Sequence, residues 1–142
     1  MDINKVIDFF RAVDTEFPIP LSKRINIQEY SEKLCNKGDI FITSSDEDEI
    51  AGLIAGYITH AEGDMGYISI IAVKQEYRKQ GLAVDLVKQF LDRAKTLGKK
   101  GVHVYTYKSN LPARNMYYRC GFKDCDKIKQ DRLEEIHMEY MF

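Results

Sequence analysis

The centre of the chain reads Tyr67-Ile-Ser-Ile-Ile-Ala-Val73, then Lys74-Gln-Glu-Tyr-Arg-Lys-Gln-Gly81, and continues as an amphipathic stretch from Leu82 to Gly98. The first run is almost continuously apolar, which is typical of a central strand buried on both faces. In the last run, apolar residues recur at i, i+3, i+4 and i+7, which predicts a helix. A further strand is predicted over Gly101–Tyr107. This strand–helix–strand segment has crossover length, so its two strands should be parallel.

Outward from this unit, the pattern predicts further helices and strands on both sides. They are the helices Asn4–Val13, Ile27–Asn36 (with Asn26 as N-cap) and Asn110–Cys120, and the strands Ile40–Thr43, Ile50–Thr59, Phe122–Lys127 and Ile136–Phe142. Neighbouring strands joined by short turns should pair in antiparallel fashion. The expected fold class is α/β: one domain, residues 1–142, with a mixed, largely antiparallel sheet and helices on both faces.

Composition narrows the functional classes. The 142 residues are 44% hydrophobic and 30% charged, which suits one folded domain. The net charge of −1 creates no field for nucleic acid, and no polybasic run suggests a membrane surface. No apolar run reaches the ~20 residues that a membrane span needs, and Met1–Lys5 does not open a signal peptide. We therefore expect a cytoplasmic protein that binds neither nucleic acid nor membrane.

The cysteines and histidines give no sign of a disulfide framework or a metal site. Cys35, Cys120 and Cys125 are odd in number and widely spaced, which favours reduced thiols. The chain has no CxxC motif, and its three histidines do not fall at ligand spacing. We expect no metal.

The segment between the central strand and the long helix is a candidate anion site. A helix N-terminus exposes unpaired N–H groups and carries a partial positive charge, which together favour phosphates. Gly81 lacks a Cβ where the backbone would approach the anion, and Arg78 and Lys79 can add charge-assisted contacts. The alternative is a solvated turn in which Gly81 only interrupts regular structure. Neither a Walker motif nor GxGxxG is present, so ATP and dinucleotides are weak candidates.

At this segment the sequence resembles the GNAT superfamily of N-acetyltransferases. The family loop Arg/Gln-x-x-Gly-x-Gly/Ala, preceded by x-Pro-x-Tyr, is matched by Lys74–Ala83, with Gln75 where many members have proline. A second family block, Asn-x-x-Ala-x-x-x-Tyr-x-x-x-Gly-Phe, is matched from Asn110 to Phe122. The resemblance covers Ile40–Phe142. It departs in one respect, since the family usually has a strand before its first helix.

The resemblance implies acetyl-CoA as the co-substrate and assigns residues to it. The central strand and the strand Gly101–Tyr107 should splay apart, with the pantetheine arm in the gap. The implied cofactor-binding residues are Ile71, Ala72 and Val73 for the pantetheine, Arg78, Lys79, Gln80, Gly81, Leu82 and Ala83 for the pyrophosphate, and Asn110 and Tyr117 on the second side. Asn110 also fits an ordinary helix N-cap, and the two roles are compatible.

For chemistry, the resemblance places Tyr117 beside the thioester sulfur as the acid that protonates the leaving thiolate. A phenol with an ordinary pKa of about 10 suits that role, although a tyrosine that only packs on a short helix is the alternative. The general base stays open. Tyr67 stands where some relatives have a carboxylate, and the possible substitutes are His60, Glu62, Asp64, Ser69 and His103.

The acceptor amine, of a small molecule or a peptide, should bind between the N-terminal helices, the loop Asp14–Arg24 and the hairpin Lys127–Glu135. Phe17, Arg24 and Tyr30 are candidates for lining it. The expected function is an N-acetyltransferase acting by direct attack in a ternary complex. The alternative is a non-catalytic CoA-binding module of the same fold. A monomer or a homodimer would fit either reading.

Overall fold

The computed structural model describes residues 1–125 and 133–142. In that part of the chain there are four α-helices and six strands. They are α1 (Ile3–Val13), α2 (Ile27–Lys37), β1 (Asp39–Ser44), β2 (Ile50–Tyr57), β3 (Met65–Val73), α3 (Leu82–Thr96), β4 (Gly101–Tyr107), α4 (Leu111–Arg119), β5 (Lys123–Asp124) and β6 (Glu135–Met141). Every predicted helix is present. Asn26 caps α2 as expected, since its side-chain oxygen accepts the Glu29 N–H at 2.9 Å.

The six described strands form one sheet in the order β1-β2-β3-β4-β6-β5. The pair β3–β4 is parallel, as the crossover through α3 predicted. The pairs β1–β2, β2–β3, β4–β6 and β5–β6 are antiparallel. The expected mixed, largely antiparallel sheet is confirmed.

Helices cover both faces of this sheet, as predicted. On one face, Val6, Phe10 and Leu34 from α1 and α2 pack with Leu53 and Ile70. On the other face, the apolar stripe of α3 and the buried side of α4 pack on β3, β4 and β6. Burial of these apolar side chains, at roughly 25 cal/mol per Å² of apolar surface, is the main contribution to the stability of the sheet with its two helical layers.

A β-bulge in β3 changes which face the following residues occupy. Ala55 pairs with Ile70 while its neighbour Gly56 pairs with Ile68, so Ser69 is the extra residue. Ile68 and Ile70 consequently belong to core clusters on opposite faces of the sheet. Because of the bulge, the Ser69 side chain points into a cleft that the end of β4 also lines.

Beyond the bulge, β3 and β4 separate. Their pairing runs from Met65 with Gly101 to Ile68 with Val104 and ends there, although the two strands continue to Val73 and Tyr107. On the other side, β3 stays paired with β2 as far as Val73. The gap expected from the family resemblance is therefore present in the backbone.

Some boundaries differ from the sequence-based prediction. The strand β3 begins at Met65, two residues before the predicted run, because Met65 and Gly66 pair with β4. The helix α3 ends at Thr96, and β2 at Tyr57. In the predicted strand Phe122–Lys127, only Lys123–Asp124 is a strand; its last two residues, like most of the hairpin Lys127–Glu135, lie outside the described residues.

The bulge predicts an unusually sensitive glycine. A Cβ at Gly56 would collide with the carbonyl oxygen of Tyr67 and lie 3.0 Å from the backbone of Ile68. Since backbone cannot yield as a flexible side chain can, Gly56→Ala should lower the free energy of unfolding by about 3 kcal/mol. Urea denaturation measures this. Gly66→Ala is the control: that glycine is also buried, but the Cβ would meet the Val102 side chain at 3.3 Å, and stability should stay within about 1 kcal/mol.

Candidate functional site

A cleft of about 260 Å³ opens where β3 and β4 separate. Its walls come from the loop after α1, from α2, from both separated strand ends, from the start of α4 and from the first residue of β6. Phe17, Arg24, Tyr30, Ser69, Asn110, Tyr117 and Glu135 line it. The cleft therefore brings together residues that are far apart in the sequence.

Tyr117 lies in the last turn of α4 and is only 2% exposed. Its ring contacts Phe122 edge-on, with centroids 5.1 Å apart, and also lines the cleft. Burial raises the pKa of Tyr117, so the phenol stays protonated at neutral pH. No residue in the described ranges hydrogen-bonds to its hydroxyl. A protonated donor of this kind is available to a group in the cleft.

The neighbouring Tyr118 is placed differently, as the spacing to Gly121 and Phe122 indicated. Its side chain is 38% exposed, and its hydroxyl donates to Asp124 at 2.6 Å. Tyr118 does not line the cleft. The two adjacent tyrosines thus point to different sides of α4: Tyr117 lines the cleft and Tyr118 lies on the surface.

The loop before α3 presents its main-chain N–H groups outward. Tyr77 and Arg78 donate back to Lys74 and Gln75, and Asp85 donates to the carbonyl of Gly81. In the part of the chain that the structure describes, the N–H groups of residues 81–84 have no acceptor. Four neighbouring unpaired donors at the positive end of a helix are the kind of group that an anion requires.

Two positive φ angles shape this loop. Gly81, the N-cap of α3, has φ of 76°, and Lys79 has φ of 64°. A Cβ added at Gly81 would have no atom within 4 Å, so it would project into open space. The glycine is therefore needed for backbone conformation and for an unobstructed approach, not for packing against the rest of the protein.

The Arg78 side chain is engaged within the protein. Its Nε donates to the carbonyl of Val73 at 3.0 Å, and its guanidinium pairs with Glu16 at 2.6 Å. These contacts connect the loop to the segment after α1. Sequence reasoning placed Arg78 toward a pyrophosphate and had no signal for Glu16, which lies 62 residues earlier.

Asn110 has the N-cap role that was weighed for it. Its side-chain oxygen accepts the Ala113 N–H at 3.3 Å, and the residue also lines the cleft. The cap occupies only the carbonyl oxygen of the amide. The amide NH₂ group is a separate donor.

Among the candidates for a general base, Ser69 is the one that shares the cleft with Tyr117. Its hydroxyl lies 2.5 Å from the hydroxyl of Tyr30, and burial raises the pKa of Tyr30. His60, Glu62 and His103 line a second cavity of about 370 Å³. Asp64 pairs with Lys100 on the surface at 3.2 Å.

His103 belongs to an aromatic group on the sheet face that carries Tyr67. Its Nδ1 lies 2.9 Å from Nε2 of His137, whose ring stacks on Tyr105 at 4.3 Å. The ring of Tyr67 lies 5.0 Å from that of His103, and Tyr67 lines both cavities. The two cavities are therefore neighbours along one face of the sheet.

The three residues predicted to line an acceptor site, Phe17, Arg24 and Tyr30, all line the cleft. Sequence reasoning did not single out Glu135, which also lines it. The alternation of β6 carried the signal: Ile136, Met138 and Tyr140 face the core, which leaves Glu135 on the opposite face with His137.

Three further observations concern the cysteines, the possible metal ligands and the helices. The three cysteines are free. Residues 1–125 and 133–142 contain no group of three or more His, Cys, Asp or Glu side chains arranged to hold a metal ion. Within the same ranges, no helix combines the length and apolar character that a membrane crossing requires.

The separated parallel strands, the loop with unpaired N–H groups and the buried tyrosine are the features that the family resemblance predicted. Residues 6–122 match the model of the Acetyltransferase (GNAT) family, a range that includes both motif blocks. The chain belongs to the GNAT acetyltransferase family.

Individual relatives are similar over different shares of the chain. Probable N-acetyltransferase 14 of Xenopus tropicalis is 29% identical over 96 residues, which are 68% of this chain and 46% of that protein. The chain spans between 24% and 58% of the length of four curated relatives that it matches.

Solved structures share the fold over nearly the whole chain. A GNAT-family acetyltransferase from Desulfovibrio desulfuricans has a TM-score of 0.80 at 19% identity, covering 99% of this chain and 92% of that one. Arabidopsis thaliana NAA60 in complex with acetyl-CoA has a TM-score of 0.72 at 18% identity, covering 99% and 93%. These similarities confirm the predicted α/β fold.

Proposed function

We propose that residues 1–142 form one N-acetyltransferase domain that transfers acetyl from acetyl-CoA to an amine of a small molecule or peptide. The observation that carries the proposal is the arrangement of the cleft. Tyr117 lines the cleft that opens where the pairing of β3 and β4 ends, and β3 continues from this cleft to the loop whose N–H groups are unpaired before α3. Direct attack in a ternary complex follows because cofactor and acceptor would share this cleft.

The described residues fit the parts of acetyl-CoA. The N–H groups of Gly81, Leu82 and Ala83 suit the pyrophosphate, with Lys79 and Gln80 flanking them and Arg78 holding the loop through Val73 and Glu16. Along the unpaired side of β3, Ile71, Ala72 and Val73 suit the pantetheine by main-chain bonding. The amide NH₂ of Asn110, at the N-cap of α4, would donate to the same arm.

Acetyl-CoA supplies the acetyl group as a thioester. Tyr117 holds a proton on its hydroxyl at the point where the sulfur would leave, and burial keeps that proton in place. The amine must lose a proton before it attacks. We propose that water beside the hydroxyls of Ser69 and Tyr30 accepts this proton, because these polar groups lie within the cleft.

A non-catalytic CoA-binding module of the same fold is the second candidate. The observation that favours it is Tyr67, which stands where some relatives carry a carboxylate base. Such a module would bind CoA with the same residues and release no thiol. The buried, protonated Tyr117 favours the enzyme.

The setting of the activity is part of the proposal. Free thiols at Cys35, Cys120 and Cys125 favour the cytoplasm. The net charge of −1 favours an acceptor other than nucleic acid or a membrane surface. We propose that the domain works as a monomer or a homodimer and uses no metal.

Thiol release from acetyl-CoA across a panel of amines tests the proposal. The panel should contain amino sugars, polyamines, amino acids and short peptides with free N-termini. At least one class should raise thiol release well above the rate without amine, with acetylated product in equal amount by mass spectrometry. CoA binding with no thiol release from any class would instead establish the binding module.

A further inference from the structure

The charges of the cleft carry information about the acceptor. In the described part of the chain, Arg24 and Glu135 are the charged residues that line it; the other lining side chains are apolar or neutral. The acetyl and thioester end of acetyl-CoA is also neutral, and its phosphates belong at the loop before α3. The Arg24 cation in the cleft therefore concerns the other substrate.

Arg24 lines the cleft, and its guanidinium lies over an aromatic ring. Its guanidinium carbon lies 5.4 Å from the centroid of the Tyr107 ring, at the end of β4. Stacking of this kind leaves the edge N–H donors of a guanidinium available. Its positive charge also reaches into the cleft: it lowers the pKa of Tyr30, although burial acts more strongly in the opposite direction.

Arg24 has no ion-pair partner in the described ranges. No carboxylate there lies within 4.0 Å of it, Glu135 included, and its main-chain N–H is already bonded to Leu21. Arg78 differs, since its guanidinium is satisfied by Glu16. An unneutralised guanidinium beside a substrate cleft repels a simple cation and attracts an anion.

We propose that Arg24 is a specificity-determining residue that binds an anionic group, a carboxylate or a phosphate, carried by the amine acceptor. This rests on the proposed acetyl transfer. The preferred acceptor is then zwitterionic: its anionic group contacts Arg24, and its amine end enters the cleft toward Tyr117. Polyamines and other purely cationic amines are poor acceptors.

The test uses acceptors matched in pairs that differ in the anionic group. Glycine, β-alanine and γ-aminobutyrate are each compared with the corresponding amide, and phosphoethanolamine with ethanolamine, so that chain length and anion type are both varied. For at least one pair the anionic member should have the higher kcat/KM, by roughly ten- to a hundredfold. Which pair shows the larger ratio distinguishes a carboxylate from a phosphate.

Substitution assigns that preference to Arg24. Arg24→Gln should raise KM for the anionic member by a similar factor, leave kcat nearly unchanged and barely affect the neutral member; Arg24→Lys should retain part of the preference. Arg93→Gln removes an exposed arginine on α3 and is the matched control. Equal losses for both members of a pair, or no preference in the parent protein, would overturn the proposal.

A binding measurement separates this proposal from the proposed function. The Arg24 Nε–H signal in an NMR spectrum of the protein with CoA should shift on addition of the anionic compounds and stay in place with their neutral partners. If it shifts while no amine supports thiol release, the anion site stands and the acetyl transfer fails. If it shifts with none of the compounds, the anion site is refuted whatever the activity.

Discussion

Tyr117→Phe should lower kcat by ~10²–10⁴-fold, the usual contribution of general acid catalysis. The substitution removes the hydroxyl that would protonate the leaving thiolate and keeps the buried ring and its contact with Phe122. Since the hydroxyl acts mainly in the transition state, the Kd for acetyl-CoA should change little. Steady-state kinetics with the best acceptor and calorimetric titration with CoA measure the two quantities.

Tyr118→Phe is the internal control for that experiment. It removes a hydroxyl one residue away that donates to Asp124 on the surface, so stability should fall by about 1 kcal/mol and kcat should stay near the parent value. Two variants with the parent rate would show that Tyr117 only packs. Loss of activity in Tyr118→Phe alone would show that the assignment is off by one residue.

Gly81→Val should weaken CoA binding by at least ~2 kcal/mol, roughly thirtyfold in Kd. A Cβ at this position projects into open space, and two further methyl groups would then occupy space next to the unpaired N–H groups of α3. A β-branched residue is also disfavoured at φ of 76°, so the loop would shift its N–H groups out of alignment. Calorimetric titration with CoA gives the affinity.

Gly98→Val is a closely matched control, because it lies just beyond the other end of the same helix. Gly98 has φ of 80°, and a Cβ there also meets no atom within 4 Å. Both variants should therefore lose similar stability from the strained backbone, of order 1–2 kcal/mol. Equal CoA affinity in the two variants would remove the phosphate site from the loop before α3.

Local patterns were sufficient for much of the architecture. The stripe on α3 from Leu86 to Ala94 has helical spacing, and the apolar run of β3 is short and rich in β-branched residues, which favours a strand. Crossover length then determined that β3 and β4 are parallel. The position of Tyr117 in the cleft followed from a family motif in which Gly121 and Phe122 set the register.

Other features depend on contacts between distant segments and left no local pattern. The bulge at Ser69 arises from pairing with β2 and is invisible in the apolar run itself. The Arg78–Glu16 pair joins two loops, and either residue alone looks like a solvated charge. For Glu135, the alternation of β6 indicates the face, but only the pairing of β6 beside β4 brings that face to the cleft.

The central claim is that CoA binds across the loop before α3 and the gap between β3 and β4. Titration of isotope-labelled protein with CoA, followed through main-chain amide NMR signals, tests it most directly in a chain of 16.5 kDa. We predict saturable shifts that are largest at Gly81, Leu82 and Ala83, with a second group at Ile71 and Ala72. Saturable shifts confined to other surfaces, or no shifts at millimolar CoA, would contradict the account.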